Sequence, residues 1–365
     1  MQKPLQTNAD STRIAWVDVL RFLGIWAIYI GHFGDKAGRV YPFVFSYHVP
    51  LFFFTAGFFS NRYLKDTPLA FIRKKTLQLM LPYAVFSLVA LVVFSLYYDW
   101  NILQAGDALI GFLLGIRDQI IAGSLWFLPC LFIIIVGDYF VMQLLKFRVV
   151  SLIISFIAFL ASQTLLPNNP ASDPSWFMGL DSALFYYIYY TLGALTFPLL
   201  NKESTTPFQR VLIAGLGLAA VTVTVLTYFQ APAWLFGKIM ALLPTLKTFE
   251  LSIAFYNLFL ALVIIYCNIL AAKFLALISF LGELGRETLA FCGTEDIAKI
   301  AITQLLAMIN LKVRLINPFV TIAFSLATLI LSKFTLIEFL NTYFPWAVGK
   351  KAVSRENTNN DLASA

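Results

Sequence analysis

The stretch DVLRFLGIWAIYIGHFG, residues 18–34, carries an aspartate, an arginine and a histidine within an apolar run. A run of this kind is typical of a membrane helix, where a charge is costly unless it faces a partner or a polar cavity. Asp18 and Arg21 are three residues apart, so they can pair on one helical face. Arg21 and His32 are eleven residues apart, which places both on that face with a rise of about 16 Å between them. The stretch predicts a polar stripe along the first helix.

The composition extends this prediction to the whole chain. Of its 365 residues, 60% are hydrophobic and only 12% are charged, and the mean hydropathy is +0.80. Soluble domains contain about 25% charged residues, so the composition indicates an integral membrane protein. We expect an all-α, polytopic bundle of about ten transmembrane helices, at 14–34, 44–61, 77–98, 125–145, 149–166, 178–200, 210–229, 250–271, 286–309 and 317–340. The segment 234–249 is expected to be re-entrant or interfacial.

The distribution of basic residues predicts the orientation of the bundle. Lys and Arg in short connections favour the cytoplasmic side, and their bias here places both termini in the cytoplasm. We expect one transmembrane domain over 1–345 and a disordered polar tail over 346–365. The net charge of +7 does not indicate nucleic acid, because the basic residues lie in short connections between spans. No metal-ligand spacing is present, so we expect no metal site, and the three cysteines are interpreted as packing residues.

The second predicted helix adds the only other histidine of the chain. His48 follows a short connection after His32, so the two side chains are expected at a similar depth, in the outer half of the membrane. Histidine is the side chain best matched to base catalysis near neutral pH. The pair therefore predicts a proton-handling site.

Four ordered motifs carry a resemblance to a known family: VDVLRFLGIWAIYIGH (17–32), FSYHVPLFFFTAGFF (45–59), FIRKKTLQLMLPY (71–83) and SLWFLPCLF (124–132). Together they resemble the membrane acyltransferase 3 family, in particular its sugar O-acetyltransferase branch, which is similar to fucose 4-O-acetylases. The chain departs from the family in LGRETLAFCGTED (284–296), where Glu295 stands about where the family has a histidine. Any role of that histidine falls to Glu295.

The resemblance implies an enzyme that uses acetyl-CoA, or another acyl-CoA, as a cytoplasmic donor, with no tightly bound cofactor. It implies a hydroxyl of a cell-envelope glycan or lipid-linked sugar as acceptor, and the plasma (inner) membrane of a bacterium as location. The extended arm of coenzyme A, about 15–20 Å, is comparable to the helical rise between Arg21 and His32. We therefore expect a tunnel along the stripe, with the donor phosphates at one end and the thioester at the histidines.

The catalytic candidates are His32, His48, Arg21 and Asp18. His32 is interpreted as general base toward the acceptor hydroxyl, or as an acyl-accepting nucleophile. His48 would assist His32, either by positioning the reacting groups or by relaying a proton. Arg21, held by Asp18, would contact the donor, because a guanidinium suits phosphate.

The remaining candidates each have a simpler structural interpretation. Arg73 and Lys75 are interpreted in two ways: they bind the donor phosphates, or they only determine the membrane topology of the chain and contact anionic lipids. Trp126 stacks on the sugar, or packs. Glu295 lines the acceptor cavity, or neutralises Lys299 four residues later. Other charged residues also have two interpretations. Arg117 and Asp118 either contact a carbohydrate or lie in a solvated loop. The charges within apolar segments are either paired with one another or line the acceptor cavity, and these are Asp138, Arg286, Glu287 and Asp296.

Two other classes compete with the enzyme. A transporter or flippase for a lipid-linked glycan also buries ionisable groups along a substrate path. A catalytically silent membrane scaffold is the third class. Binding of coenzyme A distinguishes the enzyme from both.

Overall fold

The computed structural model describes residues 13–202, 206–229, 246–310, 315 and 317–350. Within these ranges the chain is all-helical and contains no strand, as the sequence predicts. Its α-helices are α1 Ala15–Gly31, α2 Val40–Phe45, α3 His48–Gly57, α4 Pro68–Lys75, α5 Leu81–Tyr97, α6 Ile102–Leu114, α7 Phe127–Leu145, α8 Arg148–Thr164, α9 Leu180–Leu200, α10 Pro207–Tyr228, α11 Leu246–Leu275, α12 Ser279–Arg286, α13 Thr288–Met308, α14 Pro318–Ser332 and α15 Glu338–Tyr343.

Five helical stretches within the described residues are long and apolar enough to cross a membrane: Pro68–Tyr97, Gly123–Leu145, Phe177–Leu200, Leu251–Leu275 and Pro318–Tyr343. Three shorter apolar helices accompany them: Ile102–Leu114, Arg148–Thr164 and Ile213–Tyr228. The count of ten crossings and the cytoplasmic termini stay predictions. Of the interfacial segment predicted at 234–249, residues 234–245 lie outside the described residues, and the last four belong to α11.

The end of the bundle differs from the predicted boundary at residue 345. A 3-10 turn over Pro345–Val348 continues the fold, and Val348 is buried. Lys350 then donates to Glu287 at 2.7 Å, which gives that carboxylate a partner from the far end of the chain. Residues 351–365 of the predicted tail lie outside the described residues.

Helix α1 lies at the centre of the bundle. It packs against α3, α11, α12, α13 and α14, and most of its side chains are buried. Gly285 of α12 permits the closest of these approaches, because any side chain there would collide with the carbonyl of Asp18. The polar stripe of α1 is therefore enclosed by protein on several sides, as expected for ionisable groups in a membrane helix.

Two reciprocal glycines bring α3 against α9. A side chain at Gly57 would overlap the backbone at Tyr190, and one at Gly193 would overlap the backbone at Phe54. Small residues that let backbones approach are typical of helix packing in membranes. This contact fixes α3, and with it His48 at its first turn.

Asp138 is the buried centre of a polar network between α7, α8 and α9. Its carboxylate accepts from Arg148 at 2.6 Å, from Ser151 at 2.5 Å and from Tyr187 at 3.0 Å. Arg148 also donates to Asn61 at 2.6 Å, just after α3. Asp138 thus has a fully paired structural role and ties the end of α3 to the rest of the bundle.

Candidate active site

His32 follows the last residue of α1 and meets an acidic side chain from the other end of the chain. Its Nδ1 lies 2.9 Å from Oε1 of Glu295 on α13. The Glu295 side chain is 1% exposed, whereas that of His32 is 28% exposed. The helix packing thus buries the carboxylate and leaves part of the imidazole open to the site.

Glu295 is held by two further partners. Ser124 donates its hydroxyl to Oε2 at 2.6 Å, and Lys299 donates to Oε1 at 2.5 Å. The Lys299 ammonium also lies 4.8 Å from the centre of the Phe33 ring. Three donors to one buried carboxylate favour its ionised form, because only a carboxylate accepts at both oxygens. The predicted pairing of Glu295 with Lys299 is confirmed.

The contact with Glu295 assigns the tautomer of His32. A carboxylate only accepts hydrogen bonds, so Nδ1 of His32 carries the proton. In the neutral imidazole Nε2 then holds the free lone pair. Such a carboxylate partner orients the ring and raises the basicity of the opposite nitrogen. The pair therefore has the arrangement of a general base, His32, held in position by an ionised carboxylate, Glu295.

His48 has the same tautomer for a different reason. Its Nδ1 lies 2.7 Å from the carbonyl oxygen of Val44, which can only accept. The side chain is 3% exposed and meets the ring of Phe45, with 4.8 Å between centroids. Nε2 of neutral His48 can therefore accept a hydrogen bond but cannot donate one. This restricts His48 to receiving a hydroxyl hydrogen or positioning an acceptor group.

Both histidines line one cavity of about 670 Å³. Its wall also contains aromatic rings from α9, the N-terminal turn of α3 and the connection before α7. The lining residues are His32, Phe45, Ser46, His48, Val49, Pro50, Arg117, Asp118, Ile120, Gly123, Trp126, Ala171, Phe185, Tyr186, Tyr189, Asn257 and Leu260. The two histidines predicted at a similar depth are thus brought to one space, whose volume suits a sugar-sized ligand.

A second, smaller cavity of about 30 Å³ continues past the histidines. It is shared by His32, His48, Ser124 and Trp126, and Ile28, Val49, Phe52 and Phe127 close it with apolar surface. A volume of this size holds about two waters. The site therefore narrows from a cavity of about 670 Å³ to a small recess lined mainly by apolar side chains.

Glu295 lines neither cavity. The structure places Glu295 behind the cavity wall, where its oxygens are occupied by His32, Ser124 and Lys299. Its contact with His32 gives it a positioning role instead. The sequence shows Ser124 in the fourth motif and Lys299 one helical turn after Glu295. Only the fold places both of them around the Glu295 carboxylate.

Trp126 lines both cavities, yet its ring is mostly covered. It is 8% exposed, and the guanidinium of Arg117 lies 5.2 Å from its ring centre. Phe53 and Tyr186 contact it from the protein side, with centroids at 6.4 Å and 5.8 Å. Trp126 therefore presents no open face for stacking on a sugar, and its packing role is the one the structure supports.

Arg21 lies at the opposite end of the α1 stripe. Its guanidinium pairs with Asp18 at 3.5 Å, as the spacing predicts. It also lies 5.6 Å from the ring centre of Phe59, and Arg62 approaches the same ring at 4.4 Å. The sequence groups Arg62 with Lys65, Arg73, Lys74 and Lys75 as a basic run that sets topology and contacts anionic lipids. Nothing in its spacing relates Arg62 or Phe59 to α1.

Lys75 extends this group of cations. It is buried, its Nζ lies 3.5 Å from the ring centre of Tyr63, and Lys74 lies 4.9 Å from the same ring. Arg73 is exposed and makes none of these contacts. We call Arg21, Arg62, Lys74 and Lys75, with Phe59 and Tyr63, the basic cluster. Of the predicted donor-binding residues, the structure brings Arg21 and Lys75 into it and leaves Arg73 outside.

The helices are closely packed between the basic cluster and the histidines. A side chain at Gly24 would come within 2.9 Å of Leu51 and Phe52, and Ile25 is fully buried. Arg21 lines neither cavity at the histidines. The open tunnel predicted along the stripe is thus closed at this level, because Gly24 lets α3 pack directly on α1.

The comparisons with known proteins agree with the motifs. The profile of a family described as an acyltransferase domain matches residues 14–294, from the start of α1 to the residue before Glu295. The comparison with curated proteins gave no match, and neither did the comparison with solved structures. Within the described residues no three metal-ligating side chains are grouped. Because the matched range spans most of the sequence and contains both histidines, we conclude that the chain belongs to the acyltransferase 3 family and is a multi-pass membrane acyltransferase.

Proposed function

We propose that the enzyme transfers an acetyl group from acetyl-CoA to a hydroxyl of a cell-envelope glycan or lipid-linked sugar. The observation that carries the proposal is the contact of His32 with Glu295 at 2.9 Å, which leaves Nε2 as the basic atom of a ring on the cavity wall. A hydroxyl acceptor needs such a base, because it becomes a strong nucleophile only as its proton is removed.

In this reaction His32 is the only protein group that carries the proton. Nε2 takes the hydroxyl proton of the acceptor as that oxygen attacks the thioester carbonyl. When the tetrahedral intermediate collapses, the carbon–sulfur bond breaks and the coenzyme A sulfur receives the same proton from His32. Glu295 balances the transient imidazolium charge and stays ionised throughout.

His48 assists by its position. Since its Nε2 accepts hydrogen bonds in the neutral ring, it can hold a second hydroxyl of the acceptor beside His32. Attack by His32 itself, forming an acyl-histidine, is the weaker alternative, because a carboxylate-bound imidazole facing a hydroxyl acceptor needs no covalent intermediate.

The basic cluster is the site proposed for the donor phosphates. Four cations lie on two aromatic rings at the end of α1 remote from His32, at a helical rise of about 16 Å. That rise is comparable to the length of the coenzyme A arm. Because α3 is packed on α1 at Gly24, we propose that Leu51 and Phe52 move aside when the arm carries the thioester to the histidines. A flippase would need the same two side chains to move, so binding of coenzyme A is the observation that distinguishes the enzyme from it.

The location proposed for this activity is the inner membrane of a bacterium, with the donor on the cytoplasmic side. The acceptor reaches the large cavity from the opposite side. The polar and aromatic lining of that cavity suits a sugar ring, whereas the basic cluster suits phosphate.

The donor site is tested by substituting Lys75. The Lys75→Gln variant, purified in lipid nanodiscs, should show an apparent KM for acetyl-CoA raised about tenfold, the effect of losing one charge-assisted contact of about 1.4 kcal/mol. The KM for a sugar acceptor should not change. Coenzyme A release and sugar acetylation are measured together.

The matched control is Lys65→Gln, an exposed lysine in the connection that precedes α4. It should retain the KM of the unmodified enzyme. Equal donor KM values for the two variants would remove the basic cluster from the donor site. Absence of sugar-dependent coenzyme A release in the unmodified protein would contradict the proposed function itself.

A further inference from the structure

We propose that Arg117 selects the acceptor, and that it favours an uncharged sugar ring over an acidic one. The inference rests on the proposed function and concerns the rim of the large cavity. Arg117, Asp118 and Ala171 all line that cavity, although they come from two different outer connections. The Arg117 side chain is only 16% exposed, so it belongs to the wall rather than to a solvated loop.

Arg117 joins the two connections. Its Nη2 donates to the carbonyl of Ala171 at 2.9 Å, and its Nε donates to Asp118 at 3.3 Å. Nearby, the backbone of Gly115 lies so close to Met178 that a side chain there would be 2.9 Å from the sulfur. The hydrogen bond from Arg117 to Ala171 thus links the connection before α7 to the connection before α9.

The second connection is itself held in place, which makes it a rigid partner for Arg117. Asp181 is buried and accepts from the backbone N–H groups of Ser175 at 2.6 Å and Trp176 at 3.1 Å. Asn169 accepts from the N–H of Ala171 at 2.9 Å. The carbonyl that Arg117 binds is therefore fixed, and so is the guanidinium in the cavity wall.

One nitrogen of Arg117 remains for a ligand. Nη2 and Nε are used as described, and the guanidinium covers the face of Trp126 at 5.2 Å. Among the described residues Nη1 has no hydrogen-bond partner. A hydroxyl of a bound sugar is a suitable acceptor for this donor, because it can replace water at Nη1 without loss of the hydrogen bond.

The charge around Arg117 determines which sugar fits. Apart from the two histidines, the residues lining the cavity include only one cation and one anion, Arg117 and Asp118, and these two are in contact. The cavity therefore has no net charge to offset a carboxylate or phosphate on the acceptor. A neutral ring gains the Nη1 hydrogen bond without this penalty, so uncharged sugars are favoured.

The experiment compares Arg117→Lys with the unmodified enzyme in nanodiscs. The probes are methyl fucoside, methyl glucoside and methyl glucuronide, each with saturating acetyl-CoA. Lysine keeps the positive charge but cannot span Asp118, Ala171 and a ligand at once. We expect the KM for the neutral glycosides to rise about tenfold, which corresponds to one lost hydrogen bond. The KM for acetyl-CoA and the kcat at saturating sugar should stay within about twofold.

The matched control is Arg39→Lys, an exposed arginine of the first outer connection. A fall of kcat together with a rise of the KM for the sugar and of the KM for acetyl-CoA would indicate a merely structural role for Arg117 and overturn the inference. Better turnover of methyl glucuronide than of the neutral glycosides by the unmodified enzyme would also overturn it. Both results leave the proposed function intact, because each still requires sugar-dependent release of coenzyme A.

Discussion

Replacing His32 by alanine should lower the rate of acetyl transfer at least about a thousandfold, in the upper part of the range for a general base. The variant keeps the acceptor cavity and the basic cluster but has no nitrogen to take the hydroxyl proton. The measurement is the initial rate of sugar acetylation at saturating acetyl-CoA and sugar, with purified protein in nanodiscs. Donor binding, measured separately by titration with coenzyme A, should be unchanged.

The fold should tolerate this substitution. His32 follows the last residue of α1, and the contact that ends the helix is its backbone N–H bonded to the carbonyl of Ile28, which alanine retains. The variant should accumulate in the membrane and melt close to the temperature of the unmodified protein. Retained activity in a correctly folded His32→Ala protein would remove His32 from catalysis.

Replacing Glu295 by glutamine should lower the rate about a hundredfold while donor binding persists. Glutamine has nearly the same shape but no charge, so it neither stabilises the imidazolium nor fixes its tautomer. It also removes the ion pair with the partly buried Lys299, so the variant will be less stable. The acetylation rate is therefore measured per folded protein, at a temperature well below the melting temperature.

The neighbouring acid provides the control for Glu295. Asp296 is the next residue of α13, and it is not a hydrogen-bond partner of His32. Asp296→Asn should reduce the rate by less than tenfold. Equal losses in the two variants would mean that Glu295 contributes only general negative charge, and its positioning role would be excluded.

The sequence predicted the features that lie within one helix. The spacing of Asp18 and Arg21 predicted their ion pair, and the spacing of Glu295 and Lys299 predicted theirs. These contacts follow from 3.6 residues per turn and need no tertiary information. The side of α1 that carries His32 was predicted in the same way.

Contacts between distant helices were beyond such reasoning. His32 and Glu295 are 263 residues apart. Gly285 lets α12, the helix that directly precedes α13, pack on α1, and only this packing brings Glu295 to His32. For Arg117 the sequence leaves a carbohydrate contact and a solvated loop both open, because the residue that fixes it, Ala171, offers only a backbone carbonyl. A backbone acceptor leaves no signal in the sequence.

The position of Arg73 could have been corrected from geometry alone. Residues two apart on a helix point about 200° away from each other, so Arg73 and Lys75 do not share a face. Phe71 and Lys75 are four apart, and both are buried, which identifies the inner face of α4.

The central claim is that His32 and Glu295 act as one unit, and the most direct measurement is a double-variant cycle on kcat/KM. Residues that act together give losses that do not add, whereas independent residues give additive free energies. We predict that His32→Ala combined with Glu295→Gln is no slower than His32→Ala alone. A double variant about a hundredfold slower than His32→Ala, at equal stability, would show independent action and contradict the account.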